Sequence, residues 1–170
     1  MKFRSLLVSI FALAILLPAQ TPPGFAEISG IRVAVPHGWT FNQALASKGG
    51  PIALTNFGGS YLRGGILPPR GAEIEITSVR NPGNVTEFIR NELRSVRDLN
   101  LQEASEGKYS GIRVTYREFA ATDIDTTTVA FYIPRGPALY KFYLTYRTAN
   151  TTAGSLQTLL SNEIRGAALR

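Results

Sequence analysis

Apolar and polar residues alternate along much of the second half of the chain. In residues 139–147, one face of the predicted strand carries Tyr140, Phe142, Leu144 and Tyr146, and the other carries Lys141, Tyr143 and Thr145. Residues 112–116 alternate in the same way, and residues 126–133 are rich in β-branched and aromatic side chains. The turn sequence Pro-Arg-Gly-Pro at 134–137 separates two of these segments. Consecutive strands joined by short turns predict an antiparallel meander.

The first half contains shorter segments of the same kind. Apolar or alternating runs occur at residues 31–35, 40–45, 52–54 and 72–79. In the last of these, Ile74 and Ile76 share one face, whereas Glu73 and Glu75 share the other. The pattern predicts further strands before the first helix.

Two amphipathic helices are predicted. Asn84 is placed to cap the first, with Glu87 three residues on as in a capping box. The apolar arc of this helix contains Val85, Phe88, Ile89, Leu93 and Val96, and the opposite stripe contains Arg90, Arg94 and Arg97. A second helix is predicted from residue 153 to about residue 168. The elements follow the order strands, helix, strands, helix. This order predicts an α+β domain in which two main helices cover a mostly antiparallel sheet.

Each predicted helix carries a glutamate inside its apolar arc, Glu92 in the first and Glu163 in the second. A carboxylate in that position needs solvent, a cation or a hydroxyl partner, because burying it alone is costly. We interpret both as rim residues paired with arginine rather than as a functional pair of inward acids.

The first 26 residues have the order of features of a secretory signal peptide. Lys2 and Arg4 precede an uncharged apolar run at residues 6–17, and a breaker-rich stretch follows at residues 18–24. The apolar run is shorter than the roughly 20 residues that a membrane-spanning helix needs. We therefore expect export to the periplasm or the cell exterior.

Small residues at the −3 and −1 positions, Gly24 and Ala26, favour cleavage after Ala26. Cleavage after Ala19 is the weaker alternative, because Leu17 would then lie at −3. Residues 1–26 are thus predicted to be a signal peptide, and residues 27–170 a single domain with no transmembrane segment.

Composition narrows the possible chemistry. The chain has no cysteine, so disulfides and thiolate metal sites are excluded. It has one histidine, His37, so the other ligands of a zinc site would all have to be carboxylates. The net charge of +6 is modest, and the sequence lacks clusters of basic residues with aromatic side chains on which nucleic-acid bases could stack. Nucleic acid is therefore not an expected partner. No cofactor is expected.

The glycine-rich loop at residues 58–71 is the best candidate for a ligand site in the sequence. It contains five glycines and two prolines, so it holds no regular element. Its backbone NH groups, with Arg63 and Arg70 beside them and Tyr61 as a stacking surface, suit a small anionic ligand.

Three other features suggest chemistry less strongly. Asp123 and Asp125 place two carboxylates on one side of an extended segment, which suits calcium or a metal-dependent hydrolase, although a solvated turn explains them better. The arginine stripe of the first helix suits an anionic membrane or polymer, although a solvated helix face is the simpler explanation. His37 lies between Pro36 and Gly38, which is typical of a turn residue rather than a catalytic base.

Three segments resemble the PsbP-like superfamily, which includes the photosystem II extrinsic protein PsbP, the Ran-binding Mog proteins and many exported bacterial domains. They are Pro-His-Gly-Trp at 36–39, the strand at 112–116, and the strand at 140–146 followed by a helix through Leu-Leu-Ser at 159–161. The resemblance implies an α/β/α sandwich that serves as an accessory or binding domain. The sequence therefore predicts an exported, non-catalytic module whose partner is an unidentified envelope protein or a small anionic ligand.

Overall fold

A computed structural model describes residues 24–28, 30–42, 50–58, 66–120 and 124–170 of the chain. The elements of the first half are β1 (Phe25–Ile28), β2 (Ile31–Ala34), β3 (Thr40–Phe41), β4 (Ile52–Thr55), β5 (Ala72–Arg80) and helix α1 (Val85–Glu92). The second half forms β6 (Arg97–Glu106), β7 (Tyr109–Ala120), β8 (Ile124–Arg135), β9 (Ala138–Arg147), helix α2 (Ala153–Gly166) and β10 (Ala168–Leu169).

Seven strands form the main sheet, in the order β3-β4-β5-β9-β8-β7-β6, and every neighbouring pair is antiparallel. Strands β6 to β9 are the predicted meander, extended by one strand at its start. Strand β5 pairs with β9 along nine residues and so joins the two halves of the chain. A second, three-stranded sheet has the order β1-β2-β10.

The larger hydrophobic core lies between one face of the main sheet and a layer made of α2 and the small sheet. Its sheet side includes Ile74, Ile76, Phe131, Phe142 and Leu144, and α2 contributes Leu156, Leu160 and Ile164. These α2 residues are those that the helical periodicity predicts to face inward, apart from Leu159, which is only partly buried.

A smaller core lies on the opposite face of the main sheet, under α1. Val85 and Ile89 of α1 and Leu93 just after it pack against Val114, Tyr132 and Leu139. The central strands are therefore covered on both faces. This arrangement confirms the predicted α+β class and the helix–sheet–helix layering.

Helix α1 is shorter than the sequence periodicity predicts. Its cap is as expected, since the Asn84 side chain accepts a hydrogen bond from the Glu87 amide at 3.1 Å. The helix nevertheless ends at Glu92, and Leu93 turns into the small core with 7% of its surface exposed. Arg97 then begins β6. The arginine stripe predicted for one helix face is therefore wrong, because tertiary pairing of residues 97–106 with β7 overrides the helical pattern.

Strand β6 is not predicted by the sequence pattern. As an edge strand it is mostly exposed, and the inward side chains Leu99, Leu101 and Ala104 are only partly buried. Its register shifts between Arg97 and Asn100, and Asp98 has a left-handed backbone with φ of 54°. Strand β10 is also missing from the sequence prediction, because it has only two residues.

A buried carboxylate ties the β6–β7 hairpin to α2. Glu106 is 6% exposed and accepts hydrogen bonds from Ser161 at 2.9 Å, from Arg165 and from Arg113. Gln157 extends the network, since it accepts from Arg113 and donates to the Tyr146 hydroxyl. These bonds satisfy Glu106 within the fold, so we assign it a structural role.

None of the helices formed by the described residues is long and apolar enough to cross a bilayer.

The cleavage site predicted after Ala26 falls inside a β-strand. Ala26 lies in β1, is 0% exposed and pairs with Val33 of β2. A cut after Ala26 would remove two of the four residues of β1 and one residue of the larger core.

We therefore expect cleavage after Ala19 in the protein exported with its own leader. N-terminal sequencing of the exported product should begin at Gln20, because this cut leaves β1 intact. Ala19→Arg should block that processing, whereas Gly24→Arg, at the −3 position of the other site, should not. A product beginning at Glu27 would instead support the site predicted from Gly24 and Ala26.

Candidate functional site

A cavity of about 310 Å³ lies on the face of the main sheet that carries α1. Its walls come from β5, β7, β8, β9 and the end of α1. Among the described residues, four glutamates and one lysine line it: Glu73, Glu75, Glu92, Glu118 and Lys141. The remaining polar groups are two tyrosines and two threonines: Tyr116, Tyr143, Thr128 and Thr145. Acidic groups thus predominate in a chain whose net charge is +6.

The strand register explains why these residues meet. One row across the sheet runs from β5 to β7 through Glu73, Thr145, Thr128 and Tyr116. Alternate residues of a strand share a face, so Glu75 and its cross-strand partner Tyr143 form the next row of the same surface. The period of two in four strands therefore builds a continuous polar floor, on which Thr128 and Thr145 hydrogen-bond to each other at 3.0 Å.

Glu92, the last residue of α1, connects the helix to this floor. One carboxylate oxygen accepts a hydrogen bond from the Lys141 ammonium at 2.6 Å. The other accepts from the Tyr132 hydroxyl at 2.9 Å and the Tyr143 hydroxyl at 3.3 Å. The sequence correctly indicates that Glu92 needs a partner, but the partners are a lysine and two phenols rather than an arginine.

Lys141 is the single buried lysine or arginine among the residues whose burial is described, with 7% of its surface exposed. Its ammonium nitrogen lies 5.5 Å from the ring centre of Tyr143 and 5.7 Å from that of Phe88. The ion pair with Glu92 and the two ring faces together replace the water that the ammonium loses on burial.

The electrostatics of the cavity favour a positively charged ligand. Burial raises the pKa of the Glu75 carboxyl, and neighbouring Glu73 raises it further, while Lys141 acts in the opposite direction. Burial also raises the pKa of the Tyr116 and Tyr143 hydroxyls, so both stay protonated and act as hydrogen-bond donors. A cation placed beside Glu75 would relieve the repulsion between the two carboxylates.

Of the loop residues predicted as a ligand site, the structure describes Arg70, and Arg70 is not among the described residues that line this cavity. Tyr61 and Arg63 lie outside the described residues, so that part of the prediction stays a prediction. Arg70 is exposed, on the turn that leads into β5, and its backbone carbonyl accepts a hydrogen bond from the Asn56 side chain.

Asp125, one of the two carboxylates of the alternative metal hypothesis, is engaged by arginines. Asp125 pairs with Arg97 at 2.5 Å and with Arg117 at 3.5 Å, and the Arg97 guanidinium also lies over the Phe119 ring. Asp123 lies outside the described residues. Within the described ranges, no three His, Cys, Asp or Glu side chains are grouped so that they could hold a metal ion. These contacts give Asp125 and Arg97 a structural role.

His37 lies where the sequence predicts it, in an exposed turn. The Trp39 amide donates to the Pro36 carbonyl at 3.0 Å, and Gly38 has φ of 77°.

The sequence analysis does not predict the cavity, although the alternating pattern that builds its floor is present in the sequence. Strand β9 alternates between an apolar face and a face with Lys141, Tyr143 and Thr145, and in the structure α1 half-covers the latter face.

No protein-family model matches the chain, and no curated protein matches it in sequence. In structure it is similar to cyanobacterial PsbP (CyanoP) from Synechocystis sp. PCC 6803, with a TM-score of 0.52 at 12% identity over 83% of this chain and 87% of that one. This chain has the PsbP-like fold. The resemblance in its short motifs is thus confirmed at the level of architecture.

Two other solved structures are similar to this chain. A protein from Bacteroides thetaiotaomicron gives a TM-score of 0.51 at 13% identity over 83% of this chain, which spans only 45% of that protein. LpqN, described as involved in cell envelope biogenesis of Mycobacterium tuberculosis, gives a TM-score of 0.49 at 14% identity over 89% of this chain and 87% of that one.

Glu163, the second glutamate inside an apolar arc, has a different environment from Glu92. It is half-buried on α2, and this burial raises its pKa from the ordinary 4.5 to about 7. The folded protein therefore holds a proton at Glu163 more tightly than the unfolded chain does. The free energy of unfolding falls as the pH rises through this interval, and the loss is complete above about pH 7.

Glu163→Gln should remove this penalty. We expect the variant to exceed the wild type in free energy of unfolding by about 1 kcal/mol at pH 8, after allowance for solvent screening of a half-buried group, and to lose that advantage near pH 4. Urea unfolding at the two pH values measures the difference. Glu103→Gln, at an exposed position on β6, is the matched control, and an equal response of the two variants would contradict the assignment.

Proposed function

We propose that this chain is an exported, non-catalytic binding module and that the cavity beside α1 is its ligand site. The observation that carries the proposal is the convergence of polar side chains from four strands and a helix end on one recess of about 310 Å³. A recess of that size, with a few convergent polar groups and a carboxyl of perturbed pKa, is the usual form of a small-ligand site. Export is part of the proposal, and the leader pattern of residues 1–26 supports it.

A binding role explains the chemistry of the lining better than a catalytic role does. Glu92 and Lys141 are engaged with each other, and the phenols of Tyr132 and Tyr143 are engaged with Glu92. The hydroxyls of Thr128 and Thr145 bond to each other. The one histidine, which is the commonest general base, lies in an exposed turn, and it is not among the residues that line the cavity.

The charges of the residues that line the cavity indicate which charge the ligand should carry. The described residues that line the cavity include four carboxylates and one ammonium, in a partly desolvated space where a charge interacts more strongly than it does in bulk water. We therefore expect the cavity to accept a positively charged group and to reject an anion. The anionic ligand expected for the loop at residues 58–71 would be bound elsewhere.

Amide chemical shifts of the folded protein provide the test. We expect tetramethylammonium, guanidinium and 1,5-diaminopentane to shift amides of β5 and β9 at low salt, and glutarate and 1,5-pentanediol to leave them unchanged. Glu75→Gln should weaken the response to the cations, because it removes one charge from the floor. Glu103→Gln removes one charge outside the cavity and should have no such effect. The proposal is wrong if no cation shifts these amides, or if glutarate shifts them equally.

A further inference from the structure

We propose that one end of the main sheet docks on an anionic phospholipid surface through four exposed cations. They are Arg80 at the end of β5, Lys108 in the turn between β6 and β7, Arg135 at the end of β8 and Arg165 near the end of α2. Together these four residues are named the basic end. The inference concerns a different surface from the cavity beside α1 and does not rest on the proposed function.

The strand register places two of these cations on one face of the sheet. Arg80 of β5 and Arg135 of β8 lie on either side of Ala138 in one cross-strand row, so their side chains leave the sheet in the same direction. Ala138 packs against the larger core, which is the core on the α2 side of the sheet. Tyr109, at the start of β7, belongs to the same core and therefore lies on the same face.

A buried tyrosine brings two cations together. Tyr109 is 3% exposed, and its hydroxyl donates to the Ala167 carbonyl at 2.7 Å, so the ring has a fixed place under the end of α2. The Lys108 ammonium lies 5.1 Å from the centre of this ring, and the Arg135 guanidinium lies 5.9 Å from it. Two like charges thus share one aromatic ring. An anion beside them would offset their mutual repulsion.

Arg165 extends the basic end towards α2. Its side chain runs along Gly107, where an added Cβ would lie 3.2 Å from the Arg165 Cγ. Gly107 has φ of 61°, so the turn before Lys108 and the close approach of the arginine both favour glycine. Arg165 bonds to Glu106 through Nε and one terminal nitrogen. The guanidinium has five N–H donors, so donors remain for a second anion.

The positive charge of this end faces solvent. Arg80, Lys108 and Arg135 are exposed, and none of them forms an ion pair with a carboxylate of the described residues. Glu106 is buried, and two arginines already share it. A surface that carries one sign of charge attracts a partner of the opposite sign, so the partner of the basic end is anionic.

The arrangement of the cations fits a flat anionic surface better than a single anion or a polymer strand. Strands β5 and β7 are three strand spacings apart, so roughly 14 Å separates Arg80 from the start of β7. One phosphate group cannot bridge that distance, whereas lipid headgroups spread across a plane meet separated cations. A linear polymer follows a groove or a stripe, but these cations lie beside two hairpin turns and at the ends of a strand and a helix.

The charge distribution also orients the molecule on such a surface. Ala138 and the cavity residue Thr145 lie near opposite ends of β9, so roughly 20 Å along the strand separates the basic end from the acidic cavity. The cavity also lies on the other face of the sheet. An anionic surface attracts the basic end and repels the glutamates of the cavity, so the docked protein keeps its cavity open to solvent.

Co-sedimentation with vesicles at low salt tests the inference. The processed protein should bind vesicles of phosphatidylcholine and phosphatidylglycerol in equal amounts, should not bind phosphatidylcholine alone, and should be released when the salt is raised. Lys108→Gln combined with Arg135→Gln should weaken the partition by about tenfold or more, because each basic residue near such a surface contributes about fivefold. Both positions are exposed, and thermal unfolding checks that the variant keeps its fold.

Arg90→Gln combined with Arg94→Gln is the matched control. It removes the same charge from exposed positions in and just after α1, on the other side of the sheet, and should leave the partition nearly unchanged. Lys108→Arg combined with Arg135→Lys keeps both charges and should bind like the wild type. This second pair separates the loss of charge from the loss of a particular side chain.

Paramagnetic broadening locates the contact independently of residues 1–26. In lipid nanodiscs of the same mixed composition with a gadolinium-bearing headgroup, the amides of Lys108, Tyr109 and Gly136 should broaden most. The amides of Glu75 and Thr145, in the cavity, should broaden least. The reverse order would contradict docking through the basic end.

Three binding results would overturn the inference. The first is binding to phosphatidylcholine alone that is as tight as binding to the mixture. The second is an equal loss of binding in the Arg90 and Arg94 variant, which would make net charge rather than the basic end responsible. The third is binding of heparin or inorganic phosphate without binding to the mixed vesicles, which would make the basic end a site for a polymer or a free anion. None of these results bears on the cavity, which the chemical-shift test with cations decides separately.

Discussion

The ion pair between Lys141 and Glu92 holds α1 on the middle of the main sheet. Lys141 is on β9, the central strand of the seven-stranded sheet, where its ammonium is removed from water. A buried charge without a partner would cost several kcal/mol, so the carboxylate must come from the element that covers it. That element is α1, and its last residue supplies the carboxylate. The end of the helix and the position of the cavity both follow from this contact.

The cavity exists because α1 is too short to cover its side of the sheet. Eight residues make a helix about 12 Å long, whereas the strands beneath have ten to twelve residues and are about 33–40 Å long. The sheet under the helix is apolar, with Val114, Ala130 and Leu139, and beyond its end the same strands carry threonine, tyrosine and glutamate. On the opposite face, α2 and the small sheet together cover a longer apolar area.

The architecture was largely predictable from the sequence, whereas the candidate site was not. Period-two alternation in β5, β7 and β9 and the capping residue Asn84 depend on local patterns, and these survive in the fold. The end of α1 depends on a long-range contact of Glu92 with β9, and β6 depends on pairing with β7, so neither has a local signal. The same reason explains why the sequence pattern does not show Glu73, Glu75 and Tyr143 to be neighbours. Only the pairing of β5 with β9 shows that they share one recess.

The irregular start of β6 has a further consequence for how the protein behaves at high concentration. An exposed, regular edge strand is a template on which another chain can add its own strand. At β6 the shifted register near Arg97 and the left-handed Asp98 interrupt the row of free backbone groups, and charged side chains flank the break. A bulge of this kind increases local twist and makes edge-to-edge stacking of sheets unfavourable. The outer edge at β6 is thereby protected against aggregation without a covering helix.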